Sequence, residues 1–66
     1  MTIPVERTRA VMNAGRFLLS LLDPKKTPKV PRAIRHEAGA VLRHYPASFE
    51  MRRTHNRFPD LWGPIE

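Results

Sequence analysis

Sixty-six residues with no cysteine and a formal net charge of +6 allow at most one small domain, of the kind that buries about 60% of the surface its unfolded chain exposes. The lack of cysteine excludes a disulfide framework and a thiolate metal site, two of the staples on which domains of this size commonly depend. The basic balance favours acidic partners (nucleic acid, an anionic membrane or an acidic protein surface) without choosing among them.

The opening Met1-Thr2-Ile3-Pro4-Val5-Glu6-Arg7 lacks a basic start followed by an apolar core, so no signal peptide is expected. No fully apolar run exceeds three residues, as in Phe17-Leu18-Leu19, with Leu21-Leu22 following after Ser20. That falls far short of the ~20 residues of a membrane span. A cytoplasmic protein with no membrane partner is expected.

The first helix is predicted over 4–22. Pro4 suits a first-turn position, where its missing N–H would be unpaired anyway, and Glu6 lies near the positive helix end. At helical spacing, Ile3, Ala10, Val11, Ala14, Phe17, Leu18, Leu21 and Leu22 share one broad face. Val5, Met12 and Leu19 form a second stripe, with Thr8 and Gly15 between the two. Only Glu6, Arg9, Asn13, Arg16 and Ser20 make a clearly polar strip. A helix apolar over most of its circumference needs neighbours on most sides.

Pro24 and Pro28 bracket a polar loop, because proline inside a helix costs ~3 kcal/mol. A second helix is predicted over 31–44, with Val30, Ile34, Ala38, Val41 and Tyr45 facing inward and Arg32, Arg35, His36 and Arg43 facing water. Gly39 falls on the solvent side and weakens the helix by ~1 kcal/mol relative to alanine, which marks it as a place where another backbone could approach. A third helix is predicted over 49–57, with Ser48 as its N-cap. Met51, Thr54, His55 and Phe58 can face inward, and Phe49, Arg52, Arg53, Asn56 and Arg57 outward. The tail 58–66 is too rich in breakers to be a long helix. Trp62 and Leu61 are expected to fold back over one end of the core, since a wet indole would forfeit a large burial term.

Catalytic patterns are missing. The carboxylates Glu6, Asp23, Glu37, Glu50, Asp60 and Glu66 are scattered, Ser20 and Ser48 have ordinary structural roles, and no Gly-rich phosphate loop occurs. So small a chain also struggles to wall a pocket of ~300 Å³. No enzyme activity, cofactor or small-molecule substrate is expected. His36 and His44 are eight apart, not the three or four that seat one metal on one helix face, and no metal site is expected.

Two basic groups remain. Arg52, Arg53, Asn56 and Arg57 make one guanidinium-and-amide face, chemistry that can grip guanine, phosphate or adenine. Segment 31–57 could then mimic a helix-turn-helix with helix 49–57 as reader, although Pro46 imposes its own geometry on the turn. A solvated arginine face is the plainer alternative. Lys25, Lys26 and Lys29 with Arg32 could serve an acidic partner or simply solubilise the loop.

The stripe Val5, Met12 and Leu19, with small Gly15, would stay wet in a monomer unless the tail containing Trp62 covers it. Self-association through this stripe, or capture of another protein, is therefore expected.

The opening Thr2-Ile3-Pro4-Val5-Glu6-Arg7-Thr8-Arg9-Ala10-Val11, the Phe17-Leu18 pair and Arg43-His44-Tyr45-Pro46 resemble a family of short uncharacterised proteobacterial proteins, over most of the chain. The resemblance implies a small helical bacterial protein of the sort carried on mobile or phage-derived DNA. It implies no activity, cofactor or site.

The expectation is thus one all-α domain over 1–66, its long first helix packed across two shorter ones, forming a helix-mediated homodimer. Its expected function is that of a non-catalytic protein-binding regulator or inhibitor acting through the first helix and a basic surface. The alternative is a DNA-binding transcriptional regulator. An accessory subunit of a larger complex would use the same surface as the first reading.

Overall fold

The computed structural model describes residues 2–65. Its regular structure is α1 (Pro4–Leu22), α2 (Arg32–Leu42) and α3 (Ser48–Arg57), and no strand occurs among the described residues. This is the all-α fold that the periodicity predicts.

Helices α1 and α3 begin with the same device. The Ile3 N–H donates to Glu6 Oε1 at 3.1 Å, and the Ala47 N–H donates to Glu50 Oε1 at 2.9 Å. Each glutamate is the third helical residue, reaching back to the residue before the helix, and its charge complements the positive helix end. Neither cap residue carries a hydroxyl, so only one arm of a capping box exists. Ser48, expected as a cap, is instead the first helical residue of α3, and Ala47 stands outside it with an extended backbone.

Helix α2 is shorter than the predicted 31–44. Pro31 precedes it in an extended conformation without a side-chain cap. At the other end Arg43 keeps helical dihedrals, and the Tyr45 N–H tightens onto the Leu42 carbonyl at 3.2 Å. Pro46 then forbids continuation.

By contact, the chain divides into two compact units. One takes the residues up to Asn13 together with those from Pro46 onward; the other is Ala14–Tyr45. Helix α1 contributes its first ten residues to the former and the rest to the latter.

In the terminal unit the tail docks on the start of α1 through its backbone. Three consecutive tail carbonyls are each taken by a different side chain. Arg7 Nη1 donates to the Leu61 carbonyl at 3.1 Å, His55 Nδ1 pairs with that of Trp62 at 2.8 Å, and Thr8 Oγ1 donates to that of Gly63 at 2.9 Å. A carbonyl can only accept, so His55 Nδ1 carries the proton. The Gly63 N–H returns a bond to the Pro4 carbonyl at 2.9 Å. Gly63 has to be glycine here for lack of room. A methyl group would overlap Val5 Cα and N and come within 2.9 Å of the Pro4 carbonyl carbon. Thr8 is the most deeply buried polar side chain described, at 2% exposure. Its hydroxyl is satisfied by the tail, as burial demands.

In the central unit the last turns of α1 and helix α2 run antiparallel. Gly15 lies under the Tyr45 ring, and Leu22 reaches the Cα of Gly39, where a methyl group would sit 3.7 Å from its Cδ2. The predicted close approach at Gly39 is thus to a side chain, not to another backbone. Between the helices, Asp23 Oδ1 accepts the Lys25 N–H at 2.9 Å, and Thr27 Oγ1 donates to the Ser20 carbonyl at 2.9 Å. Arg35, expected to face water, instead turns inward. Its guanidinium donates to the Leu21 carbonyl at 2.8 Å and to the Thr27 carbonyl. No basic residue stands in the last turn of α1, so α2 supplies the cation that this negative helix end favours.

Few large side chains are hidden. Among the described residues the fully buried hydrophobic side chains are Ala38 and Met51. Along α1 the buried positions are Thr8 and Gly15, the small residues between the two apolar stripes. The broad face is not the inward face throughout: Ile3, Ala10, Ala14 and Phe17 are exposed, Phe17 by 62%. Small residues occupy the close contacts because backbone and ring approach there, and a larger side chain would hold them apart.

Candidate functional site

The expected interface stripe on α1 is partly consumed by the chain itself. Val5 is half-buried, with Gly63 against its backbone, and Gly15 is fully buried beneath Tyr45. Met12 is half-buried, whereas Leu19 is 58% exposed. The expectation of a wet stripe in a single copy therefore holds for Leu19 alone. The tail at Gly63 shelters Val5, and the Tyr45 ring shelters Gly15.

Other apolar side chains are open instead. Around Leu19 in the central unit's sequence, Phe17 stays 62% exposed and Leu22 40%; on α2, Val41 stays 57% and Ile34 43%. Ile34 and Val41 were expected inward, but of the inward row on α2 only Ala38 is fully buried. In the terminal unit Met51 is buried, and Thr54 and His55 are half-buried as expected of their row. Phe58 and Leu61, however, are more than half exposed. Trp62 is half-buried, its carbonyl fixed by His55. The tail's seat is made by backbone carbonyls rather than by a row of apolar side chains, and nothing in the hydrophobic pattern reports that.

The α3 face is as expected. Arg52, Arg53, Asn56 and Arg57 are all exposed, and no hydrogen bond or ion pair engages their side chains among the described residues. His55, on the same helix, is used by the tail.

Charge is unevenly divided. Residues 14–45 carry Arg16, Lys25, Lys26, Lys29, Arg32, Arg35 and Arg43 against Asp23 and Glu37, which is five of the chain's six net positive charges. The remainder, including the arginines of α3, nearly balances Glu6, Glu50, Asp60 and Glu66. On α2 a depression of about 400 Å³ is lined by Arg35, His36, Gly39, Ala40 and Arg43. Its floor is low because Gly39 and Ala40 put almost nothing above the helix backbone. Arg35 is committed to its carbonyls, whereas among the described residues no hydrogen bond or ion pair engages the side chains of His36 and Arg43.

Among the described residues no group of three or more histidine, aspartate or glutamate side chains gathers as a metal site would require. No helix among them is long and apolar enough to cross a membrane. No protein-family model, curated protein or solved structure matches this chain.

Proposed function

We propose that this chain is a small non-catalytic binding regulator that engages protein through the exposed apolar side chains of its central unit, with a second copy of itself as the first partner. One observation supports the reading. In residues 14–45 the sole fully buried hydrophobic side chain is Ala38, while Phe17, Leu19, Ile34 and Val41 stand substantially in water. Apolar surface returns about 25 cal/mol per Å² when covered, and where such side chains adjoin in one patch they make a site of association. Relative to the stripe expected from periodicity, the surface keeps Leu19, loses Val5 and Gly15, and adds Phe17 with the open residues of α2.

The test is hydrodynamic mass across a wide concentration range. Self-association predicts a concentration-dependent dimer that Leu19→Glu or Phe17→Glu turns into a monomer of unchanged helicity. Neither side chain is buried, so neither substitution should unfold the chain. A strict monomer at millimolar concentration would remove the self-association reading.

A second reading rests on the open Arg52, Arg53, Asn56 and Arg57 of α3: a transcriptional regulator that reads base edges with this helix. Arg53→Ala with Arg57→Ala should then abolish discrimination between DNA sequences. Equal affinity of the unaltered chain for unrelated sequences would refute it.

A further inference from the structure

We infer that the outward side of α2 and the loop before it form a phosphate-backbone contact for double-stranded nucleic acid, independent of the apolar surface and of α3. Arg32, His36 and Arg43 follow one another at helical intervals of four and seven, so they fall on one stripe of the helix. Arg43 keeps helical dihedrals beyond the last turn, so the stripe extends about 16 Å along the axis at 1.5 Å per residue. Lys25, Lys26 and Lys29 precede it on a loop whose backbone is already fixed by Asp23, Thr27 and Arg35. All six side chains are exposed, and no hydrogen bond or ion pair engages them among the described residues.

The chemistry around the stripe decides the partner. Between its cations lie Gly39 and Ala40, floor of the α2 depression, whose lining holds no aliphatic side chain larger than alanine and, in His36, one ring. Protein interfaces are depleted in lysine and take their energy from buried aromatic and arginine anchors seated in pockets. A membrane surface would ask for apolar side chains able to enter the acyl boundary beside the cations. Single-stranded nucleic acid would ask for rings on which bases stack. The stripe offers arginines but no apolar anchor beside them, and the single imidazole of His36 is no platform for a run of bases. A duplex phosphate backbone needs only cations at the surface, and it presents one charge per roughly 1.7 Å of axis. The two nearby acids do not oppose this. Asp23 is turned to the Lys25 N–H, and Glu37 lies about a quarter-turn or more round α2 from the stripe.

The experiment measures binding of the full chain to a mixed-sequence 20-base-pair DNA duplex by fluorescence anisotropy at 50 to 200 mM salt. If Lys25, Lys26, Lys29, Arg32 and Arg43 each meet a phosphate, affinity falls about 500-fold across that range, from a slope of about −0.9 per neutralised phosphate. Arg32→Ala with Arg43→Ala, both exposed and each expected to keep far-UV helicity, should reduce that fall to about 40-fold. Arg52→Ala with Arg53→Ala should leave it unchanged, which separates this contact from reading by α3. Phe17→Glu should also leave it unchanged, which separates it from self-association. Absence of binding at 50 mM salt, or a salt dependence insensitive to the α2 pair, overturns the inference. Equal competition by poly-glutamate or by phosphatidylserine vesicles, at matched charge, overturns it as well, in favour of an acidic protein or a lipid surface.

Discussion

The two compact units of this chain are closed by the same kind of bond, from a helix side chain to backbone carbonyls. In the terminal unit, helix side chains (Arg7, Thr8 and His55) capture three successive carbonyls of an irregular tail. In the central unit a helix side chain, Arg35, captures carbonyls at the end of another helix and in the loop that follows it. The tail has no backbone ladder of its own, so its carbonyls would be orphans if covered without partners. The end of α1 is in the same position, because the last four carbonyls of any helix lack intrahelical partners. With few large side chains buried in either unit, side chain-to-carbonyl bonds set where each segment lies. The units differ in how much room they leave. Gly63 meets backbone, whereas Gly15 meets a side-chain ring.

That difference orders the effects of substitution. Gly63→Ala should be the most damaging, costing about 3 kcal/mol because neither Val5 nor Pro4 backbone can retreat; urea titration would report the loss, together with a red shift of Trp62 emission as the tail lifts. Arg35→Ala should cost about 2 kcal/mol, the range for hydrogen bonds from a charged donor, and should lower the thermal midpoint measured by circular dichroism. Arg35→Lys should recover little of it, since one ammonium does not reproduce the guanidinium fork across two carbonyls. Thr8→Val keeps the shape but leaves the Gly63 carbonyl without its hydroxyl, for about 1 kcal/mol by the same titration. Gly15→Ala should be the mildest. The helix gains about 1 kcal/mol from losing a glycine, offset by a methyl group placed 2.8 Å from Tyr45 Cε2. If Gly15→Ala proves as damaging as Gly63→Ala, the Tyr45 ring is as immovable as backbone and the contrast between the units fails.

Some of this was legible in the residues and some was not. Helix α1 was readable to its last residue, because Pro4 and the Asp23-Pro24 pair punctuate both ends and the apolar spacing leaves no other period. The folding back of the tail followed from Trp62. The seat of the tail did not: Thr8 lay between two apolar stripes and carried no signal of its own, and Gly63 looked like one more breaker. Arg35 was misassigned to water because the helical wheel ranks faces by polarity. An arginine with a long apolar stem can lie along a helix contact and still place its head on carbonyls. One signal could have found it: α1 ends without a basic residue, and Arg35 stands one turn into the next helix. On the α1 stripe, Leu19 stays open as the pattern expects, whereas Val5 and Met12 are half-buried and Gly15 is buried.

The order of amino acids by itself determined the three helices, their approximate limits and the concentration of positive charge between Ala14 and Tyr45. These depend on proline geometry, local spacing and composition, all of which act within a few residues. Only the tertiary structure decided which side of α1 is inward and what covers it. That choice rests on contacts between residues up to 55 positions apart, as between Thr8 and Gly63, and on the room a missing side chain leaves for a neighbouring backbone or ring, which no local pattern encodes.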